Sequence, residues 1–132
     1  MVDTISGYFL CLLAHITLTC TLFFNQDPFL LASYPPCTRE VPQDARVEFV
    51  VVLSLLLFVD VCQLVILLLK APSVPTALLS CFFETLSCLF LFKFIIDVHP
   101  VSNFWVLFAF ASLPPLLLNL SSFLISLRRN PR

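Results

Sequence analysis

The sequence predicts an all-α integral membrane protein, an antiparallel four-helix transmembrane bundle. Three observations carry that expectation. Hydrophobic residues make up 60% of the 132 and charged residues 11%, against about 45–50% and about 25% in soluble domains. Four apolar stretches each approach or exceed the roughly 20 residues that cross about 30 Å of hydrocarbon. The segments between them are polar and carry prolines. The same composition removes other classes. A single glycine leaves no glycine-rich phosphate loop, and a net charge of -1 gives no footing for nucleic acid.

The first span runs from about residue 5 to 24, ahead of a polar, mixed-charge loop at about 25–46 that contains Pro28, Pro35, Pro36 and Pro42. A cleaved signal peptide is the competing reading of this span. Its apolar run is too long for that, no Lys or Arg precedes it, and Asn25-Gln26-Asp27 is a poor cleavage site. The second span covers about 47–69 and the third about 76–96. The turn between them holds Pro72 and Pro75, which end one helix and start the next. The fourth covers about 104–127 after a turn containing Asp97 and His99, with Ser102 or Asn103 as N-cap, and it ends in a basic tail, 128–132. The spans leave no room for a second domain, and sequential helices joined by short turns are expected to lie adjacent. No lipidation motif is visible, so the helices serve as the anchor and membrane lipid as the surroundings.

Orientation follows from basic residues beside the spans. Lys70, Arg128, Arg129 and Arg132 fall on the face that carries both termini. Arg39, Arg46 and Lys93 fall on the other, the two arginines interleaved with Glu40, Asp44 and Glu48. Both termini are therefore expected in the cytoplasm. Cys11, Cys20, Cys62, Cys81 and Cys88 lie in apolar runs and act as small hydrophobes, with Cys37 alone in a polar segment.

An ionisable group at membrane depth costs about 2.5–3.5 kcal/mol on insertion scales and needs a reason. His15, Asp60 and Glu84 lie in spans one to three and Asn119 in span four. Each falls roughly 12–15 Å from the presumed cytoplasmic end, so together they form a candidate polar layer facing the bundle interior. Small and polar residues line the same stripes: Gly7, Cys11 and Ala14; Ala77, Ser80, Cys81, Ser87 and Cys88; Ser112, Pro115, Ser122 and Ser126. The layer reads as a hydrogen-bonded structural cluster. The alternative is a small proton or ion channel or transporter using His15, Asp60 and Glu84. Pro114-Pro115 frees carbonyls near Phe110 and Ala111 and is expected to kink span four. Asn119-Leu120-Ser121 matches a glycosylation sequon but lies inside a span. No catalytic constellation is legible, and no catalytic residue, metal, cofactor or small-molecule substrate is expected.

From Tyr8-Phe9-Leu10-Cys11-Leu12-Leu13-Ala14-His15 onward the chain resembles the transmembrane protein 107 family, small four-span proteins of the ciliary transition zone. The resemblance is strongest in Leu12-Leu13-Ala14-His15 and in the stretch from Phe104-Trp105 to Pro114-Pro115. Span lengths, the long first loop, Asp60 and the basic tail are also similar. The chain departs from the family's pattern at Asn119, where an acidic residue can stand, and at Glu84, where a histidine is expected. The resemblance implies a non-enzymatic scaffold at the ciliary base. Its partners would be other transition-zone proteins of the Meckel-syndrome module, and its role to help recruit them and maintain the ciliary diffusion barrier. A third option, an assembly factor of the secretory membranes, differs in location.

The topology can be tested directly. Cys37 should react with a membrane-impermeant thiol reagent from the lumenal or extracellular side, and labelling from the cytoplasm would show the bundle inverted.

Overall fold

The computed structural model describes residues 2–32, 42–97 and 101–129. Pro35, Pro36, Cys37, Arg39 and Glu40 of the first loop, His99 of the third connection and Arg132 of the tail lie outside the described residues. The described chain is helical with short connections. Helix α1 spans Val2–Phe24, α2 Asp27–Ala32, α3 Gln43–Leu69 and α4 Val74–Asp97. The last span comprises α5 (Val101–Leu107), a π-helical turn (Phe108–Ser112) and α6 (Leu113–Arg129). Four helical spans, Asp3–Phe24, Gln43–Leu69, Val74–Asp97 and Val101–Arg129, are long and apolar enough to cross a membrane.

The ends differ from the sequence reading by a turn or less. Helix α3 begins at Gln43, where the Pro42 carbonyl accepts from the amides of Ala45 and Arg46 at 3.2 and 3.4 Å. Span four begins at Val101, which places Ser102 and Asn103 inside the first turn and not at its cap. Ser73 starts α4: its carbonyl accepts from the Ala77 amide at 2.9 Å, and its hydroxyl meets that of Thr76 at 2.8 Å. Arg128 and Arg129 occupy the last turn of α6, where cations complement the helix dipole.

Sequential helices are not all adjacent. α1 packs on α3 and α4, and α6 packs on the same two helices, so α3 and α4 face each other across one diagonal and α1 and α6 across the other. The expectation that spans two and three are neighbours is therefore wrong. Its physical reason lies in the connection: Lys70 is extended (φ -155°, ψ 120°) and the chain stays non-helical through Ser73. That stretch spans about 15 Å, enough for a diagonal between helices packed about 8–10 Å from their neighbours.

A seam with a seven-residue repeat explains the packing. Buried positions on α1 are Tyr8, Leu12, His15, Thr19 and Leu22, and on α4 Ala77, Ser80, Glu84, Ser87 and Leu91. Spacings that alternate three and four are those of helices packed knobs-into-holes. On α1 this seam replaces the expected small-residue ridge. Ala14 is exposed, and a Cβ placed on Gly7 would meet nothing within 4 Å. On α4 the expected stripe and the buried seam coincide.

Before Pro114-Pro115, where a kink is expected, the helix forms a π-helical turn. The Leu113 amide reaches back to the Phe108 carbonyl, five residues earlier, so one extra residue is accommodated before the prolines. Both Ala111 and Ser112 are buried as a result.

The end of the bundle nearest the first loop is apolar. Phe29 of α2, Phe49, Phe94 and Phe104 interlock, with ring centroids 5.2–6.0 Å apart in the Phe29–Phe49, Phe29–Phe104, Phe49–Phe104 and Phe94–Phe104 pairs. Helix α2 is thus a plug within what the sequence suggests is plain loop, and Arg46 to Asp27 (3.0 Å) ties it to α3 at the exposed rim. Trp105 donates to Glu48 Oε1 at 2.9 Å, as suits a ring at a membrane interface.

Burial separates these aromatics from the many others. Phe104→Ala should destabilise the bundle toward the lower end of the roughly 3–5 kcal/mol seen for buried Phe truncation, because lipid supplies no hydrophobic drive. Phe58, 65% exposed, should tolerate the same change within about 0.5 kcal/mol. Unfolding in bicelles measures both.

Candidate functional site

The seam that builds the bundle also places its polar side chains. Tyr8 and His15 are two turns apart on α1, Asp60 and Gln63 one turn apart on α3, and Ser80, Glu84 and Ser87 in line on α4. Asn119 completes the set from α6. All are buried.

Two hydrogen-bonded chains result. In the first, His15 Nδ1 lies 2.6 Å from Asp60 Oδ2, and His15 Nε2 lies 2.8 Å from Ser87 Oγ. A neutral imidazole donates at one nitrogen and accepts at the other, so either tautomer satisfies both contacts once the Asp60 and Ser87 protons adjust. In the second, the Tyr8 hydroxyl donates to Gln63 Oε1 at 2.7 Å, and Gln63 Nε2 donates to Glu84 Oε1 at 2.9 Å. The two hydrogens of Asn119 Nδ2 are shared among the Tyr8 oxygen (2.6 Å), Ser80 Oγ (3.2 Å) and the Pro115 carbonyl (2.8 Å) in its own helix. The Gln63–Glu84 bond crosses the α3–α4 diagonal and the Asn119–Tyr8 bond crosses the α1–α6 diagonal. The centre of the bundle is polar.

All four residues expected from the sequence are here, though not as a single layer. His15, Asp60 and Glu84 each bring a ligating atom within 4.8 Å of the other two. Asn119 joins through Tyr8, Gln63 and Ser80, about one turn further along the axis, so the network extends as a column. Tyr8 and Gln63, which the sequence reading did not assign to the site, are its joints. The signal was present: Gln63 follows Asp60 by three residues and Tyr8 precedes His15 by seven, each on the same face.

Two carboxyls share the centre with one imidazole. The described basic side chains Arg46, Lys70, Lys93, Arg128 and Arg129 are all exposed, so no Lys or Arg among the described residues faces the two carboxyls. Asp60 Oδ1, Glu84 Oε2 and Ser112 Oγ are buried without a hydrogen-bond partner. A cleft of about 490 Å³ at the tail end, lined by Lys70, Ser73, Ser122 and Arg129 among others, reaches the column at Asn119. Cys11 and Cys81 approach to 3.9 Å on the α1–α4 flank, partly buried, as expected of small hydrophobes.

Fold and site together define a multi-pass membrane protein whose polar groups are gathered into a buried, interhelical network. The TMEM107 family model, described as a transmembrane protein, matches residues 4–123, and the chain belongs to that family. No curated protein and no solved structure matches the chain significantly.

The joints give the site its sharpest test. Tyr8→Phe removes the donor to Gln63 and the acceptor of Asn119, and should cost about 1–2 kcal/mol of bundle stability. Ser121→Ala removes only an exposed bond to its own helix and should be neutral. Steric-trapping measurements in bilayers would compare the two.

Proposed function

We propose that this protein is a non-enzymatic membrane scaffold of the ciliary transition zone. In this role it helps recruit or retain Meckel-syndrome module proteins, and so supports the membrane diffusion barrier and cilium assembly. The observation that carries the reading is membership of the TMEM107 family across residues 4–123. The surface is compatible with it. Leu10, Phe58, Phe82, Leu89 and Phe110 are all more than 60% exposed, so the flanks are apolar and suited to lipid and to the helices of partner membrane proteins. The polar groups, by contrast, are turned inward and largely engaged with one another. Both termini are assigned to the cytoplasm on the basic residues at their end.

Location decides between this role and the others. A tagged copy should concentrate at the ciliary base, co-purify with module proteins and lose its position when they are depleted. Uniform plasma-membrane or secretory-membrane signal in ciliated cells would refute the scaffold role. The channel reading has its own measurement: pH-dependent flux in proteoliposomes, abolished by Asp60→Asn or Glu84→Gln, is expected to be absent.

A further inference from the structure

Two unpartnered carboxyl oxygens, on residues 0% and 1% exposed, face no described Lys or Arg in the middle of a membrane bundle, and His15 is the one basic group beside them. An unpaired polar atom there is costly, and two ionised carboxylates with at most one imidazolium beside them would be far more so. Protein hydrogen bonds use only half of each group. Asp60 meets His15 through Oδ2 and Glu84 meets Gln63 through Oε1, leaving Asp60 Oδ1 and Glu84 Oε2. The third member, His15, brings a ring nitrogen within 4.8 Å of both carboxyl groups.

We infer that His15, Asp60 and Glu84 form an intramembrane site for one divalent transition-metal ion, of which zinc is the simplest example. The donor set is one imidazole nitrogen and two carboxylate oxygens. That mixture suits a borderline first-row ion; calcium and magnesium call for cages of six or more oxygens, and soft ions for thiolates. Neutral imidazole, two carboxylates and a 2+ ion sum to zero, the one charge that low-dielectric surroundings accept cheaply. Zinc bonds of about 2.0–2.2 Å place tetrahedral ligands roughly 3.5 Å apart. Groups within 4.8 Å need to draw in by about an ångström, and the 2.6 Å His15–Asp60 contact must open by a similar amount. Side-chain torsions supply both.

The outer shell is already built. Metal-bound histidines donate their second ring N–H to an oriented acceptor, and ligating carboxylates are themselves hydrogen-bonded. Ser87 Oγ stands 2.8 Å from His15 Nε2, positioned to accept that proton when Nδ1 binds metal. Gln63 Nε2 holds Glu84 Oε1 at 2.9 Å and leaves Oε2 for the ion. The cleft that reaches Asn119 brings solvent-accessible space to the end of the same column. Spacing along the chain does not reveal this set, because its three ligands come from α1, α3 and α4. An ion there ties three helices together, including the diagonal pair, and its three protein donors leave the fourth tetrahedral position to a water. The inference is independent of the ciliary role.

The test uses the full chain in nanodiscs, purified without chelator, with metal content read by mass spectrometry and zinc added back after stripping. About one equivalent of zinc per chain is expected, with a rise in the thermal midpoint that a chelator reverses. The Asp60→Asn, Glu84→Gln double variant keeps most hydrogen bonds and should stay helical by circular dichroism while losing both signals. Ser87→Ala, which touches no ligand atom of the ion, should weaken binding by roughly 10–100-fold. Cobalt substituted for zinc should show ligand-field bands without thiolate charge transfer, and Cys11→Ser should leave binding unchanged. Folded wild-type protein without zinc binding or midpoint shift would overturn the proposal. So would full binding by the double variant, an unchanged affinity in Ser87→Ala, or a thiolate spectrum.

Discussion

The structure depends on one constraint: polar side chains that leave water must find one another across the centre of the bundle. In hydrocarbon the apolar flanks gain little from helix contact, because lipid tails solvate Leu and Phe as well as another helix does. Association then rests on close packing and on interhelical hydrogen bonds. Here those bonds join neighbouring helices, as in Tyr8–Gln63, His15–Asp60 and His15–Ser87, and also reach across the bundle where the backbones are furthest apart. Gln63 and Glu84 join α3 to α4, and Tyr8 and Asn119 join α1 to α6, each across a diagonal. Neighbouring helices meet through the seam and through part of the network, whereas opposite helices meet through the network. Together these two sets of contacts fix both the ring order and the vertical register of the four spans.

The remaining elements protect that centre. At the loop end the aromatic cluster of Phe29, Phe49, Phe94 and Phe104 is the packed, apolar counterpart of the polar column, and α2 folds in to close it. In span four the prolines deprive the helix of two amide donors. The π-helical turn before them adds a residue and so brings Ser112, Pro115 and Asn119 to the inward face. Prolines that read as a kink in the sequence therefore serve to aim Asn119.

Much of this was legible in the residue string because composition and run length are strong signals in a membrane chain. The four spans followed from hydropathy, and the four ionisable or amide residues within them stood out because each carries an insertion cost. The α4 stripe was recoverable from its three-and-four spacing. What failed was pairing. Run length says nothing of whether a four-residue extended connection reaches a neighbour or an opposite helix, so the α3–α4 diagonal was missed. On α1 the small residues Gly7 and Ala14 carried a packing signal that the larger Tyr8 and Thr19 in fact use. Tyr8 and Gln63 escaped because neither bears a charge, although both share a face with a residue that does. Helix α2 was hidden by the prolines around it.

The most direct measurement of the central constraint is a double-mutant cycle across a diagonal, with Gln63→Leu, Glu84→Leu and the pair compared by unfolding in bicelles. A bond that holds opposite helices together should give a coupling energy between the bilayer average of about 0.6 kcal/mol and the upper value of about 1.7 kcal/mol. Additive losses, with no coupling between the two positions, would contradict a bundle ordered by its polar centre.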